Sequence, residues 1–302
     1  MVETAFLAVA VLVLLALVFD FMNGFHDAAN SVAILVSTRA MSPKWAVLWA
    51  AFFNFIAFLV FGLAVAKTVG SGIVNPSVVD NSVIFGALAG ATIWNVITWW
   101  FGIPSSSSHA LVGGFAGAAV AKAGFSALIA KGFIKTGVAI VLSPMLGLVL
   151  GLMLAVAVSW LLIRSSPYVV ENRFRRLQFV SASLYSLGHG GNDAQKTMGI
   201  IAALLFANGM LKGEFYVPLW VVLACQAAMG LGTLMGGWRI VRTMGMGITK
   251  LKPVTGFSAQ TAGAITLFLA TWLGIPVSTT HTITGAIVGV GMTRRVSAVR
   301  WG

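Results

Sequence analysis

Asn23-Gly24-Phe25-His26-Asp27-Ala28-Ala29-Asn30 decides the reading of this chain. It sets a carboxylate, an imidazole and two amides just beyond fifteen nearly unbroken apolar residues, Ala5 to Phe19. Leu187 to Ile201, LGHGGNDAQKTMGII, repeats the pattern in the other half. A charge at mid-membrane depth costs at least about 2.5 to 3.5 kcal/mol, so a chain that keeps one twice holds it where it is solvated or paired.

The surroundings are those of a membrane protein. Of 302 residues, 59% are hydrophobic and 9% charged, where a soluble domain carries roughly 25% charged residues. Mean hydropathy is +0.96. Apolar runs near or above the roughly 18 to 20 residues that cross a bilayer recur at Trp45 to Ala66, Val83 to Phe101, Thr136 to Ile163, Val217 to Trp238 and Gly256 to Leu273. The expected class is all-α, a polytopic helical protein with the lipid bilayer as its partner. The N-terminus carries Glu3 and no basic n-region, so the first run reads as a retained helix. The formal charge of +12 is spread over short connections and reads as a topology signal, with no nucleic-acid partner. The single cysteine, Cys225, excludes an intramolecular disulfide and reads as packing.

Two motif types recur in one order. GFHDAANSVAI from Gly24 aligns with GGNDAQKTMGI from Gly190 at an offset of 166, and GIPSSSSHALVGG from Gly102 aligns with GIPVSTTHTITGA from Gly274 at an offset of 172. The expected division is a first membrane repeat over 1–163, a polar cytoplasmic connector over 164–177 and a second membrane repeat over 178–302. Equivalent connections differ in charge. Arg39 and Lys44 oppose Lys212 and Glu214, while Lys67 and Asp80 oppose Arg239, Arg242, Lys250 and Lys252. Basic connections face the cytoplasm, so the repeats are read as inverted in topology. One group departs from this pattern, because Lys122, Lys131 and Lys135 match Arg294, Arg295 and Arg300 in sign. The second repeat also ends at Trp301-Gly302 without a counterpart of Thr136 to Ile163, so it is expected to lack a final hydrophobic segment.

Asn23-Gly24 and Gly188 to Asn192 are poor helix formers, and both segments are expected to break within the membrane. Broken helices at matching positions of two repeats mark a transporter's substrate site. In Pro104-Ser105-Ser106-Ser107-Ser108-His109 and Pro276-Val277-Ser278-Thr279-Thr280-His281, a proline ends one helix and hydroxyls cap the next. Hydroxyls, free backbone N–H groups and a helix dipole together form an anion site, and two such sites facing each other would surround a small tetrahedral oxyanion. Asp27 and Asp193, with Asn23, Asn30 and Asn192, suit a coupling cation, sodium or a proton, that keeps carboxylates and oxyanion from repelling. His26, His109, His189 and His281 are proton carriers or neutral hydrogen-bond donors. Lys196 pairs with Asp193 or contacts the anion, and Ser108 and Thr197 are further candidates. No cofactor and no resident metal site are assigned.

At these residues the sequence resembles the inorganic phosphate transporter (Pit, or PiT) family, and in GFHDAANS the bacterial low-affinity members. GGNDAQKT matches the family signature well, whereas His26 stands where many members have Asn. The resemblance implies two inverted repeats with broken helices or hairpins, phosphate bound near the midplane, often a homodimer, and a multi-pass location in the cell membrane. It carries cation and site-organising roles to Asp27 and Asp193. Ser105, Ser106, Ser107, Ser278, Thr279 and Thr280 become phosphate contacts. Relatives use protons, at times with a divalent metal-phosphate complex as substrate, or sodium. Members also extend through another hydrophobic segment.

The expected function is a secondary active symporter of inorganic phosphate, coupled to a proton or sodium gradient and working by alternating access. The nearest rival is a symporter of another tetrahedral oxyanion such as sulfate. An intramembrane enzyme is disfavoured because GxSxG, HExxH and Walker-type patterns are absent. An anion channel is disfavoured because paired carboxylates are costly in an anion-selective pore.

Overall fold

The structure is a computed structural model that describes residues 2–301, and it is helical throughout, apart from one isolated bridge between Val74 and Leu128. The first helix, α1 (Val2–Ser37), runs unbroken through Asn23-Gly24, and α7 (Pro167–Ala207) runs unbroken through Gly188 to Asn192. The expected breaks are therefore not there. In hydrocarbon an opened backbone has no water to bond to, so helical hydrogen bonds outweigh the weak helix preference of glycine. The glycines serve close approach instead. A Cβ on Gly24 would collide with the Met229 carbonyl, one on Gly190 with the Asn54 carbonyl, and one on Gly191 with the Phe61 ring.

The breaks lie one element later. Helix α2 (Pro43–Ile56) passes through a short 3-10 turn into α3 (Ala64–Gly72) with a bend of 78°, and α8 (Leu219–Met235) turns into α9 (Trp238–Met246) with a bend of 71°. Two hairpins follow at matching places, α4 (Asn81–Phe101) with α5 (Ser107–Ala123), and α10 (Pro253–Trp272) with α11 (Thr279–Met292). Between the halves stands α6 (Ala130–Leu161), which carries Pro144 inside it. The connector expected over 164–177 is mostly the exposed first turns of α7, which begins at Pro167.

By length and apolarity α1, α4 and α6 can each cross a membrane, and each bent pair can add a span. The run Gly256 to Leu273 is helical and more polar than α1, α4 and α6. Its Ser258, Gln260, Thr266 and Thr271 are buried against α6, α7 and α11 instead of facing lipid. Large apolar side chains cover the outside, among them Leu14, Phe52, Trp100 and Val141.

The equivalent helices α1 and α7 lie side by side in opposite directions. Thr197 Oγ1 donates to Asp20 Oδ1 (2.9 Å), Ser31 Oγ lies 3.3 Å from His189 Nδ1, and Thr38 Oγ1 donates to Gln178 Oε1 (2.8 Å). The like-signed basic groups now separate. Lys122 pairs with Asp80 at the start of α4 (2.7 Å), whereas Arg300 bonds the Met246 and Ile248 carbonyls at the other end, where α9 meets the close of α1. Their likeness in sign came from opposite ends of the molecule. Asp80 also caps α4 through Val83 N–H (3.0 Å). Partial desolvation raises its carboxyl, but the Lys122 hydrogen bond and the cap bonds outweigh this and hold it at about 2.

α6 packs in parallel on α11. Cβ atoms on Gly285 and Gly289 would strike the Pro144 and Leu148 carbonyls, while the equivalent Gly113 and Gly117 of α5 face open space. Among the described residues no counterpart of α6 follows α11.

Candidate functional site

Each hairpin turns through a left-handed glycine, Gly102 (φ 68°) and Gly274 (φ 62°), and then starts a short helix with a hydroxyl cap. Ser106 Oγ accepts the His109 N–H (3.1 Å) and Ser278 Oγ accepts the His281 N–H (3.1 Å). Capping satisfies one of the orphan donors of the first turn. The two helices meet over the α1–α7 pair, with the His109 and His281 rings 4.8 Å apart edge to face.

Beneath them the duplicated motifs make matching contacts. Ser107 Oγ donates to Asp27 Oδ2 (2.7 Å) in the first half, and its equivalent Thr279 Oγ1 donates to Asp193 Oδ2 (2.8 Å) in the second. The next pair crosses between halves. Asn30 Nδ2 donates to Thr280 Oγ1 (2.9 Å) and more weakly to Thr279 Oγ1 (3.3 Å), and Lys196 Nζ donates to Ser108 Oγ (2.6 Å). Asn30 and Lys196 are equivalents, as are Thr280 and Ser108, so each half reaches into the other in the same way.

The equivalents differ in charge. Lys196 is buried and binds Asp193 Oδ1 as well as the Val277 carbonyl (2.7 Å), the first of the two partnerships expected for it. Ser108 Oγ stands 3.3 Å from the same Asp193 oxygen. Asp27 has no such permanent cation. It has His26 Nδ1 at 2.8 Å, whose Nε2 lies 2.9 Å from Thr98 Oγ1.

Asn23 Oδ1 lies 2.6 Å from Ser107 Oγ, and Asn23 Nδ2 reaches Asp20 Oδ1 at 3.4 Å. Asn192 is spent on the second hairpin, donating to Thr271 Oγ1 (2.9 Å) and the Ile275 carbonyl (3.2 Å) and accepting the Val277 N–H (3.2 Å). These three bonds position the loop. Ser105 stands apart, half-buried, accepting from Trp94 Nε1 (2.9 Å). Thr197 is tied to Asp20.

Asp20, Gln195, Asn54 and Thr98, outside the predicted set, complete the cluster together with His189, one of the four histidines read as proton carriers or hydrogen-bond donors. Asp20, fully buried, keeps Oδ2 without a partner. His189 Nε2 lies 3.2 Å from Asp193 Oδ2, and its Nδ1 is within 3.2 Å of Asn54 Oδ1. Ligand atoms of Asp27, His189 and Asp193 all fall within 4.8 Å of one another. Gln195 Oε1 accepts from the Val65 and Ala66 N–H groups (3.1 and 3.2 Å) and so anchors the start of α3 beside the site. Asn54 and Thr98 are each polar inside an otherwise apolar run, the one signal that could have found them.

A profile described as the Phosphate transporter family matches residues 23–302, which takes in all four motifs. The chain belongs to the phosphate transporter family. Among curated members, a "Probable low-affinity inorganic phosphate transporter" of Rhizobium meliloti (strain 1021) is 68% identical over 96% of this chain and 87% of its own length. One of the same description from Bacillus subtilis (strain 168) is 49% identical over 96% and 88%. A solved structure described as "The sodium-dependent phosphate transporter" superposes with a TM-score of 0.84 at 26% identity, over 95% of this chain and 90% of that one. The family members are transporters, not enzymes, and this chain shares their helical membrane fold.

Proposed function

We propose that this protein carries inorganic phosphate across the cell membrane as a cation-coupled symporter. The observation that carries the reading is the pair of crossed modules, Asp27–Ser107 with Lys196–Ser108 and Asp193–Thr279 with Asn30–Thr280. Each brings a helix N-terminus, two hydroxyls and a carboxylate to one centre. N–H groups and hydroxyls suit an oxyanion, and the carboxylates suit the cations that accompany it. A phosphate that keeps a proton can donate it to a carboxylate, which sulfate cannot do near neutral pH. That preference, together with the family and the named relatives, favours phosphate.

Charge supports the coupling. With the histidines neutral, the buried Asp27 and Asp193 face one buried cation, Lys196, among the described residues. Uncompensated charge in a desolvated interior is costly, so the cluster calls for added cations. Ser107 has one proton and two acceptors at 2.6 and 2.7 Å, Asn23 Oδ1 and Asp27 Oδ2, so a proton or sodium ion is well placed there. Thr98 Oγ1 has the Trp94 carbonyl as its own acceptor (2.9 Å), so His26 can carry protons on both nitrogens and pair with Asp27 as a cation.

The antiparallel α1 and α7 and the reciprocal cross-contacts support inverted repeats that rock about the shared centre, exposing it to each side in turn. The crowding of Arg39, Arg164, Lys250 and Arg295 toward one end supports that end as the cytoplasmic face. A second reading rests on Asp27, His189 and Asp193, a donor set that fits a divalent cation travelling with phosphate as part of the substrate.

Proteoliposomes given a proton or a sodium gradient separately, with labelled phosphate and sulfate as competitor, test the proposal. Uptake driven by one gradient and indifferent to sulfate is the expected result. Competition by sulfate, or uptake without either gradient, would overturn it. Uptake that needs added Mg²⁺ or Zn²⁺ and moves the metal with phosphate would establish the second reading.

A further inference from the structure

A cavity of about 520 Å³ opens between the end of α6, the start of α7, the start of α10 and the end of α11, far from the buried carboxylates. Val156 and Trp160 form an apolar wall that continues onto the outer face of α6, where Trp160 is 77% exposed. Lys252, Arg294, Thr255 and Thr293 also line it and give it a polar side. No carboxylate lines it. Lys252 is also the residue from which α10 starts, so the positive end of a 20-residue helix adds to the field there. The surrounding end of the molecule carries Arg164, Lys250 and Arg295 with Glu171 as the near acid.

We propose that this cavity holds the headgroup of an anionic phospholipid. The phosphodiester would sit between Lys252 and Arg294, which supply the donors, because the Thr255 and Thr293 hydroxyls already donate to the Lys252 and Val290 carbonyls. One acyl chain would run down the Val156–Trp160 wall into the bilayer. A basic pocket between membrane helices at the interface, apolar on one side and cationic on the other, matches this ligand in both charge and shape. Free phosphate has no use for the apolar wall. The inference needs only that the chain lies in a bilayer and stands whether or not the transport reading does. Four segments from both halves meet at the cavity, so a lipid bound there would bridge them at the end where α6 gives way to α7.

Native mass spectrometry on the whole chain, taken from nanodiscs of equal phosphatidylglycerol and phosphatidylcholine, tests the site. Wild type should retain phosphatidylglycerol selectively. In Lys252→Gln/Arg294→Gln that selectivity should fall by about 30-fold, from two surface cations at the interface. Lys44→Gln/Arg176→Gln removes the same charge outside the cavity and should keep it. No selectivity in wild type, equal loss in both variants, or retention in the cavity variant would overturn the proposal. Displacement of the lipid by millimolar inorganic phosphate would also overturn it, by making the cavity a free-anion site.

Discussion

Asp27 and Asp193 are equivalent by the repeat, yet the structure predicts that neutralising them has very unequal effects on stability. Asp193→Asn strips Lys196 of its counter-ion and leaves a buried ammonium with two neutral acceptors, Ser108 Oγ and the Val277 carbonyl. Breaking a buried pair on one side costs about 3 to 5 kcal/mol. Adding Lys196→Met removes the stranded charge and should recover most of that, for a coupling energy of at least about 2 kcal/mol in the double-mutant cycle. Asp27→Asn has no permanent cation to strand. Its side chain keeps the size needed to meet Ser107 and His26, so stability should stay within about 1 kcal/mol of wild type or rise. Denaturant unfolding of the purified protein in a fixed detergent measures the cycle, and phosphate uptake measures function, which Asp27→Asn, Asp193→Asn and the double variant should lose. Additive costs for Asp193→Asn and Lys196→Met, or equal destabilisation by Asp27→Asn, would refute the assignment of Lys196 to Asp193 and with it the charge count behind cation coupling.

Other outcomes follow from single contacts. Ser107→Ala and Thr279→Val each remove a hydroxyl held by a carboxylate, and each should raise the KM for phosphate about 10- to 100-fold, the range for a hydrogen bond to a charged group, with protein levels in the membrane unchanged. Gly24→Ala and Gly190→Ala push a methyl group into a neighbouring carbonyl and should destabilise by about 1 to 3 kcal/mol, whereas Gly113→Ala and Gly117→Ala enter open space and should be neutral or stabilising, as thermal unfolding would report. Asp80→Ala should cost about 1 kcal/mol at neutral pH by uncapping α4. Because the folded carboxyl titrates below its unfolded value, that stability is present above about pH 4 and is lost as pH falls through about 2. A variant whose deficit persists unchanged at pH 2 would show that the cap does not act through its charge.

The helical membrane class, the family and the two pairs of motifs that the fold brings together were legible in the chain itself. A run of apolar residues long enough to cross a bilayer has one stable conformation there, so hydropathy alone announces helices. The two motif pairs announce a duplicated site, because carboxylates and hydroxyls do not recur by accident at fixed spacing inside such runs. Tertiary structure decided what those residues touch. Whether Gly24 and Gly190 break a helix or let another press against it depends on Met229 and Asn54, which lie far away along the chain. Whether Lys196 serves Asp193 or the anion depends on where the α10–α11 loop brings Val277. The like signs of the Lys122 and Arg294 groups became intelligible only once α5 and α11 were seen to end at opposite sides. Local pattern specifies which groups a helix carries, and long-range packing in a medium without water specifies which partner each finds.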